Sequence, residues 1–202
     1  MAKKAGPAVK RGKTAKGSIR QRIAKAVSKA RVGEITEQLT DIPSPTGGEA
    51  EISDFLAKEF ERIGLEVSVQ EVEAGRNNVT ARLRGKGRGR GRNLMFNAHF
   101  DTSATDADRI PGQQSRAVRQ GDWIYGLGAS NMKNAFAGYI GAVEALMETG
   151  AELSGDILIT GVVGEIEKAP VSHYQGIGYR GGGSGARFLM AHGCVADLAI
   201  IG

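Results

Sequence analysis

Apolar residues recur every three or four positions in four stretches of the chain, the spacing of amphipathic helices. The first stretch lies near Ile19–Leu39. The second has Thr46 as a predicted N-cap, with Glu49 at the spacing of a capping box, and ends at Gly64. The third, "NMKNAFAGYIGAVEALMETG", has the clearest apolar face, and "GARFLMAHG" is the fourth. The pattern therefore predicts four helices.

Between these stretches the pattern becomes that of strands. "EVSVQEV" and "NNVTARLRG" alternate, "DWIYGLG" is a short strand, and "NLMFNAHFDT" is a short apolar strand with polar residues at its end. "GDILITGVVGEIE" and "VADLAIIG" are apolar runs, which predict buried strands. Strands that alternate with helices predict an α/β sandwich around a mixed or largely parallel sheet.

Charge is distributed unevenly along the chain. Of 27 Lys and Arg, 11 fall within residues 1–31, which contain no Asp or Glu. Residues 32–202 then carry 16 basic and 22 acidic side chains, a net charge of −6. We therefore predict a basic tail over 1–31, disordered or partly helical, before a folded part over 32–202. Such a tail suits a solubilising extension, an organellar transit peptide, or an electrostatic arm for nucleic acid or an acidic partner.

Cysteine content and hydropathy indicate the cellular compartment in which we expect the protein. Cys194 is the only cysteine, so the chain has no internal disulfide and a reducing compartment is the default. No apolar run approaches the roughly 20 residues of a membrane span. We expect a cytoplasmic protein without a membrane partner.

Three polar clusters lie at predicted strand ends, where ligands gather in α/β sheets. In "HFD", Asp101 can accept from one ring nitrogen of His99, the pairing that orients a metal-bound imidazole. In "GEIE", Glu165 and Glu167 can act as a general base and an oxygen ligand for a divalent metal. Each cluster also has a plain structural interpretation, namely a turn with a hydrogen-bonded histidine and a solvated strand end. The third cluster, "ASN", holds Asn131.

Two glycine-rich segments raise the question of phosphate binding. "GLGASN" lacks the Lys-Ser/Thr of a phosphate loop, and its spacing is not G-x-G-x-x-G, so phosphate binding there is not expected. "GKGRGRGR" at 85–92 does not open a helix, as a dinucleotide fingerprint should. We interpret it as a basic hairpin tip that displays Arg88, Arg90 and Arg92. It would suit contact with RNA or an anionic partner, or be a solvated loop.

The strand-end clusters occur within a series of motifs that resembles the metal-dependent aminoacylase/carboxypeptidase family. Members of that family include acetylornithine deacetylase, succinyl-diaminopimelate desuccinylase and glutamate carboxypeptidase. The resemblance spans about residues 32–202 and rests on "DIPSPTGGE", "NAHFDT", "IYGLGASNMKNAFAGYIGAVEAL", "GVVGEIE" and "GARFLMAHGCVADLAIIG". It implies the N-terminal portion of a three-layer, zinc-peptidase-like α/β domain with a mixed, mostly parallel sheet. In the family this domain is interrupted by a smaller lid or dimerisation domain.

The resemblance also implies roles for individual residues. His99 would bind one metal ion and Asp101 would hold its ring. Asn131 stands where the family has the ligand that bridges two zinc ions. Glu165 would be the general base, and Glu167 would have to supply the neighbouring metal ligand. Zinc is the implied cofactor, with two ions in the family and one or none here, and Co²⁺ or Mn²⁺ as substitutes.

Three features depart from the family's motifs. Asn131 replaces the Asp of "G-x-G-x-x-D-M-K-G-G", and a neutral amide is a poor bridge between two cations. Ile166 stands where the family's "D-E-E" has a second acidic residue. "KAPVSHYQGIGYRGGGSG" then resembles an insertion, with His173 as a possible extra ligand. Finally, the chain stops where the family continues with an acidic ligand and a later His, so we expect the isolated chain to be incomplete at the C-terminus and inactive.

These expectations define three candidate functions. The first is a metal-dependent hydrolase of the amide bond in N-acyl amino acids or small peptides, homodimeric if full-length. The second is a metal-poor, non-catalytic relative that acts as a binding module, which Asn131 and Ile166 favour. The third is a basic-tailed protein associated with nucleic acid, which residues 1–31 and the Arg-Gly loop suggest. The resemblance favours a small-molecule substrate over a nucleic-acid partner.

Overall fold

The computed structural model describes residues 17–87, 90–103, 115–166 and 181–202. Five helices and seven strands occur there. In chain order they are α1 (Ile19–Ala26), α2 (Lys29–Asp41), α3 (Ala50–Arg62), β1 (Glu66–Glu73), β2 (Arg76–Leu83), β3 (Leu94–His99), β4 (Val118–Gln120), β5 (Trp123–Tyr125), α4 (Asn134–Glu148), β6 (Ile157–Val162), α5 (Ser184–Ala191) and β7 (Leu198–Ile201). None of these helices has the length and apolar character needed to cross a bilayer.

Five strands form one mixed sheet in the order β1-β2-β6-β3-β7. β3 pairs in parallel with β6 and with β7, whereas β2 pairs antiparallel with β1 and with β6. Four strands therefore share one direction and β2 opposes them, which confirms the predicted mixed, mostly parallel sheet. β4 and β5 form a separate antiparallel ribbon.

Helices cover both faces of the sheet, so the architecture has three layers. α3 contacts β1 and β2, and α4 packs on α2 and β3. On the other face α5 contacts β6, and Asn78 of β2 donates its side-chain N–H to the carbonyl of Gly185 at 2.9 Å. The core on the first face contains Ile35, Leu39, Ile52, Leu56, Phe60, Val79, Ala81, Phe136, Ile140, Val143, Ile157 and Ile159.

The two apolar runs have different environments. All six residues of β6 are buried between β2 and β3, as its sequence predicts. β7 is not buried, because it lies at the edge of the described sheet and pairs only with β3. Leu198, Ile200 and Ile201 are 47%, 49% and 72% exposed. The prediction that "VADLAIIG" forms a buried strand was therefore wrong.

The first predicted helix is two helices that meet at Val27 and Ser28. A capping box between Ser18 and Gln21 starts α1, and the Ser28 hydroxyl accepts from the Arg31 N–H at 3.2 Å to start α2. α2 packs on α4. The boundary predicted between residues 31 and 32 therefore falls inside a helix that belongs to the fold.

The predicted capping box of α3 is absent, because both of its side chains make tertiary contacts instead. α3 begins at Ala50 without a side-chain cap. Glu49 is fully buried and forms a two-pronged ion pair with Arg76, at 2.9 and 2.7 Å. The Thr46 hydroxyl donates to Asp101 at 2.8 Å.

The glycine-rich segment at 85–92 is not a hairpin tip, because the strands that it connects are not neighbours. β6 lies between β2 and β3 in the sheet. Arg90 and Arg92 are exposed, and Arg88 lies outside the described residues.

Candidate active site

Side chains from three segments meet at the carboxyl ends of β3 and β6. His99 is the last residue of β3, Asn131 lies in an irregular turn, Ala129–Lys133, before α4, and Glu165 follows β6. Nε2 of His99 lies 3.1 Å from Oδ1 of Asn131 and 3.5 Å from Oε2 of Glu165. The parallel pairing of β3 with β6 places His99 opposite Val162 and so brings the two strand ends together.

Asp101 is a buried carboxylate that joins these segments. Its oxygens accept from Nδ1 of His99 at 3.2 Å and from the hydroxyl of Thr46 at 2.8 Å. They also accept from the backbone N–H groups of Glu165 and Ile166, at 3.1 and 3.0 Å. Burial opposes ionisation, but these donors hold the pKa of Asp101 below its usual value. The ionised carboxylate therefore connects β3, the α2–α3 loop and the segment after β6.

The contacts of His99 indicate which of its two ring nitrogens carries the hydrogen. Nδ1 lies 3.0 Å from the backbone oxygen of Asp101 as well as near its carboxylate. Because both partners accept hydrogen bonds, Nδ1 carries a hydrogen, and in the neutral ring Nε2 presents a lone pair. Burial favours the neutral ring, yet Asp101, followed by Glu165, raises the pKa of His99 above its ordinary value.

The turn that carries Asn131 depends on two glycines. Gly126 and Gly128 have φ of +154° and +82°. A Cβ atom at Gly126 would lie 2.2 Å from Cγ2 of Thr40, and one at Gly128 would lie 2.8 Å from Cγ2 of Thr102. The backbone therefore passes too close to its neighbours for a side chain, as the predicted tight turn requires. The peptide bond between Asn131 and Met132 is cis.

Lys133, the last residue of the same turn, connects it to the C-cap of α2. Its side chain is buried, and Nζ donates to the backbone oxygen of Ile42 at 2.6 Å. Burial, with the nearby charge of Arg116, lowers the pKa of Lys133 to about 8. The sequence indicated only that Lys133 opens a helix, and nothing in its spacing pointed to Ile42.

Asn78 is a second supporting residue that the sequence did not reveal. It is fully buried in β2, where Oδ1 accepts from the Val163 N–H at 3.1 Å and Nδ2 donates to Gly185. These bonds connect the segment before Glu165 to the first turn of α5. A polar residue within an alternating strand was the available signal, since Asn is unfavourable in strands unless it bonds.

The electron-rich atoms around Nε2 suit a divalent cation. An imidazole nitrogen, an amide oxygen and a carboxylate oxygen converge there, and zinc accepts nitrogen and oxygen ligands. The described residues contain no group of three or more His, Cys, Asp or Glu side chains that could hold a metal. Among the described side chains at this site, Asn131 supplies a neutral oxygen, and Asp101 faces Nδ1 of His99. The described donors fit one cation and lack a carboxylate to bridge two.

Two further predicted ligands lie outside the described part of the chain. These are Glu167 and His173. Ile166 itself contributes its backbone N–H to Asp101, not a ligand.

Comparison with known proteins agrees with this geometry. Residues 95–189, from β3 into α5, match the family model described as Peptidase family M20/M25/M40. The matched segment of the chain belongs to this family. The matched segment of this M20 chain contains His99, Asp101, Asn131 and Glu165.

Two curated relatives cover most of this M20 chain. A succinyl-diaminopimelate desuccinylase of Corynebacterium glutamicum is 30% identical over 169 residues, 83% of this chain and 40% of the relative. An N-formyl-4-amino-5-aminomethyl-2-methylpyrimidine deformylase of Halalkalibacterium halodurans is 29% identical over 163 residues, 79% of this chain and 34% of the relative. The chain thus spans well under half of the length of either relative.

A solved structure shares the fold. A tripeptidase of Staphylococcus aureus superposes with a TM-score of 0.66 at 21% identity, covering 87% of this chain and 43% of the tripeptidase. The likeness establishes a zinc-peptidase-like α/β architecture for the described part of this M20 chain.

Proposed function

We propose that this M20 chain contributes to the metal-dependent hydrolysis of an amide bond in an N-acyl amino acid or a small peptide. The observation that carries the proposal is the convergence of Asn131 Oδ1 and Glu165 Oε2 on Nε2 of His99, at 3.1 and 3.5 Å. The names of the two relatives specify removal of a succinyl and a formyl group. An acyl group on nitrogen is therefore the substrate class that we propose.

Each residue has a distinct role in this proposal. His99 and Asn131 would hold a zinc ion, with Co²⁺ or Mn²⁺ as substitutes, and Glu167 remains a predicted ligand. The bound ion would polarise the scissile carbonyl and lower the pKa of water. Asp101 holds the imidazole with its Nε2 lone pair directed at the site.

Glu165 is the proposed general base. Its side chain is 53% exposed, and Oε2 lies at the same edge of the site as Nε2 of His99. A carboxylate in this position can take a proton from water and later return it to the leaving amine. The backbone N–H of Glu165 donates to Asp101, and this hydrogen bond holds the backbone from which the Glu165 side chain extends.

The proposal also covers the number of zinc ions, the oligomeric state and the cellular location. We propose that one zinc ion, and not the family's two, is held, because Asn131 brings no charge to the bridging position. We also propose a homodimer for the full-length protein, which the family resemblance supports, and a cytoplasmic location, which the single cysteine supports.

The test combines zinc content with hydrolysis. The protein is expressed at full length, loaded with zinc, dialysed and analysed for bound metal, then assayed on N-formyl, N-acetyl and N-succinyl amino acids and on dipeptides. The Glu165→Gln variant should keep its zinc and lose about 10²-fold or more of the hydrolysis rate, the usual contribution of a general base. Equal rates for the variant and the wild type would contradict the role of Glu165.

Asn131 supports a second candidate function, a non-catalytic binding module that keeps the fold. A neutral amide at the bridging position and the lack of a cluster of acidic and imidazole ligands among the described residues favour it. Wild-type protein that binds no zinc and hydrolyses none of these amides would support this module over the hydrolase. Zinc binding with hydrolysis would exclude it.

A further inference from the structure

The segment that connects β2 to β3 alternates glycine with basic residues over 84–92, and we call its described residues, 84–87 and 90–92, the Gly-Arg loop. Its glycines pack against the backbone of residues 153–155. A Cβ atom at Gly85 would lie 2.2 Å from the Gly155 oxygen, and one at Gly87 would lie 2.0 Å from the Ser154 oxygen. The loop therefore lies backbone against backbone, an approach that only glycine permits.

Hydrogen bonds hold the Gly-Arg loop in place. The N–H of Lys86 donates to the Leu153 oxygen at 2.8 Å, and the N–H of Gly85 donates to the Asp156 carboxylate at 2.9 Å. The N–H of Arg90 closes a turn onto the Gly87 oxygen at 3.1 Å. The loop is thus a fixed support for its side chains.

With the glycines packed inward, the basic residues between them are exposed. Lys86, Arg90 and Arg92 all face solvent. Lys86 and Arg90 line an open pocket of about 420 Å³ together with Gly87 and Ser154. Lysine, arginine and serine can all donate hydrogen bonds to anionic oxygens.

α1 brings a second basic group to the same end of the molecule. Nη1 of Arg22 donates to the backbone oxygen of Thr149, just before the segment on which the Gly-Arg loop packs. Arg20 and Lys25 of α1 are exposed. α1 belongs to residues 1–31, which carry 11 Lys and Arg and no acid.

Two acidic residues nearby pair with arginines at the start of this segment. Asp156 pairs with Arg82 and approaches Arg84 to 3.8 Å, and Glu66 pairs with Arg84, so Arg84 is not among the cations that the surface offers to a ligand. Glu152 approaches Lys86 only to 3.7 Å, with both side chains nearly 80% exposed, so water screens this pair. Among the described residues no carboxylate pairs with the exposed cations Arg20, Lys25, Arg90 and Arg92.

We propose that this end of the molecule, formed by the Gly-Arg loop and α1, binds the phosphate backbone of a single-stranded nucleic acid. The planar guanidinium of Arg matches phosphate oxygens, and repeated arginines suit a ligand with repeated phosphates. The loop has no aromatic residue on which a base could stack, so binding depends on charge and not on base sequence. The loop itself has no apolar side chain to insert into a membrane surface, whereas α1 and its C-cap expose Ile19 and Val27, and lipid vesicles are therefore included in the test.

The proposed surface is separate from the candidate active site. The Gly-Arg loop precedes Leu94 at one end of β3, and His99 stands at the other. The strand separates them by roughly 17 Å at about 3.3 Å per residue. Substitutions at the surface should therefore leave zinc binding and hydrolysis unchanged.

Fluorescence anisotropy with full-length chain tests the proposal. The probes are two single-stranded RNAs of unrelated sequence, about 20 nucleotides long, titrated from about 50 mM salt upward. We expect equal binding of both probes, and a loss of about tenfold in affinity for the double variants R90Q/R92Q and R20Q/K25Q. Each lost contact should reduce the slope of log affinity against log salt by about 0.7.

Arg187→Gln is the matched control, because Arg187 is an exposed arginine of α5 on the opposite face of the sheet. It should bind RNA like the wild type. The proposal fails if the wild type does not bind at low salt, if both double variants bind as tightly as the wild type, or if R187Q loses as much. Tighter binding to phosphatidylserine vesicles or to poly-glutamate than to RNA would also overturn it, in favour of a membrane or an acidic protein.

Discussion

Oδ1 of Asn131 lies 3.1 Å from Nε2 of His99, on the side of the ring that faces away from Asp101. Since Asp101 fixes the hydrogen on Nδ1, the neutral ring presents a lone pair toward this oxygen. Two electron-rich atoms at this distance need a proton or a cation between them. A proton on the ring satisfies this contact with a hydrogen bond, and the proposed cation would take the place of that proton; Asn131 brings no charge to the pair.

Asn131→Asp should strengthen metal binding. A carboxylate adds a full negative charge and a second oxygen at coordination distance, so we expect zinc affinity to rise by about tenfold or more, with a second equivalent of zinc if the two-ion site forms. Zinc titration by calorimetry and metal analysis after dialysis measure both. Gln120→Glu makes the same amide-to-acid change at an exposed position of β4 and should alter neither. An unchanged affinity in Asn131→Asp would place Asn131 outside the metal site.

His99→Ala should abolish zinc binding, because it removes the only imidazole of the described site. His192→Ala is the control, since His192 is the exposed C-cap of α5 and its Nδ1 contacts the Phe188 oxygen at 2.8 Å. Metal analysis of both variants after the same dialysis is the measurement. Full zinc content in His99→Ala would refute the assignment of His99 as a ligand.

The convergence of the site could be predicted from sequence because it follows from topology. Apolar runs placed His99 and Glu165 at the ends of strands, and parallel strands end at the same sheet edge. The tight turn at Gly126 and Gly128 could also be predicted, because closely spaced glycines are typical of such turns.

The supporting contacts could not be predicted, because they join residues that are distant in the chain. Thr46 matched a capping box by local spacing, but its hydroxyl bonds to Asp101, 55 positions away. Lys133 matched a helix start, but it bonds to Ile42, 91 positions away. Local pattern also predicted β7 as buried, although burial depends on which strands and helices lie beside it.

Thr46→Val should weaken the site without disturbing the core, since valine keeps the shape and removes one donor to the Asp101 carboxylate. We expect a loss of about 1.5–3 kcal/mol in the free energy of unfolding, as for hydrogen bonds to charged groups. Thr36→Val is the matched control, because the Thr36 hydroxyl bonds only to the neutral Val32 oxygen within α2. Urea denaturation compares the two, and equal losses would mean that the Thr46–Asp101 bond has no special weight.

Glu49→Gln should destabilise the fold strongly. It removes the charge of the fully buried partner of Arg76, whose guanidinium is 4% exposed, while Glu73 still pairs with Arg76 at 2.8 Å. Breaking a buried pair on one side costs about 3–5 kcal/mol, so with Glu73 retained we expect a loss of about 3 kcal/mol. Glu66→Gln removes an ion pair of the same chemistry with Arg84, but both side chains are about 60% exposed. It should destabilise the fold far less, because water screens an exposed ion pair. Similar unfolding midpoints for the two variants would contradict this ranking.

Lys133→Met should remove a rise of stability at alkaline pH. The folded pKa of about 8 lies below the ordinary 10.5, so between these values the unfolded chain binds more protons than the folded chain. Stability from this group therefore increases as pH rises from about 8 to 10.5, by up to about 3 kcal/mol, and is constant below that window. Urea denaturation of metal-free protein at several pH values should show the rise in the wild type and in Lys58→Met, an exposed lysine of α3, but not in Lys133→Met. The same pH dependence in all three proteins would show that Lys133 titrates like a solvated lysine.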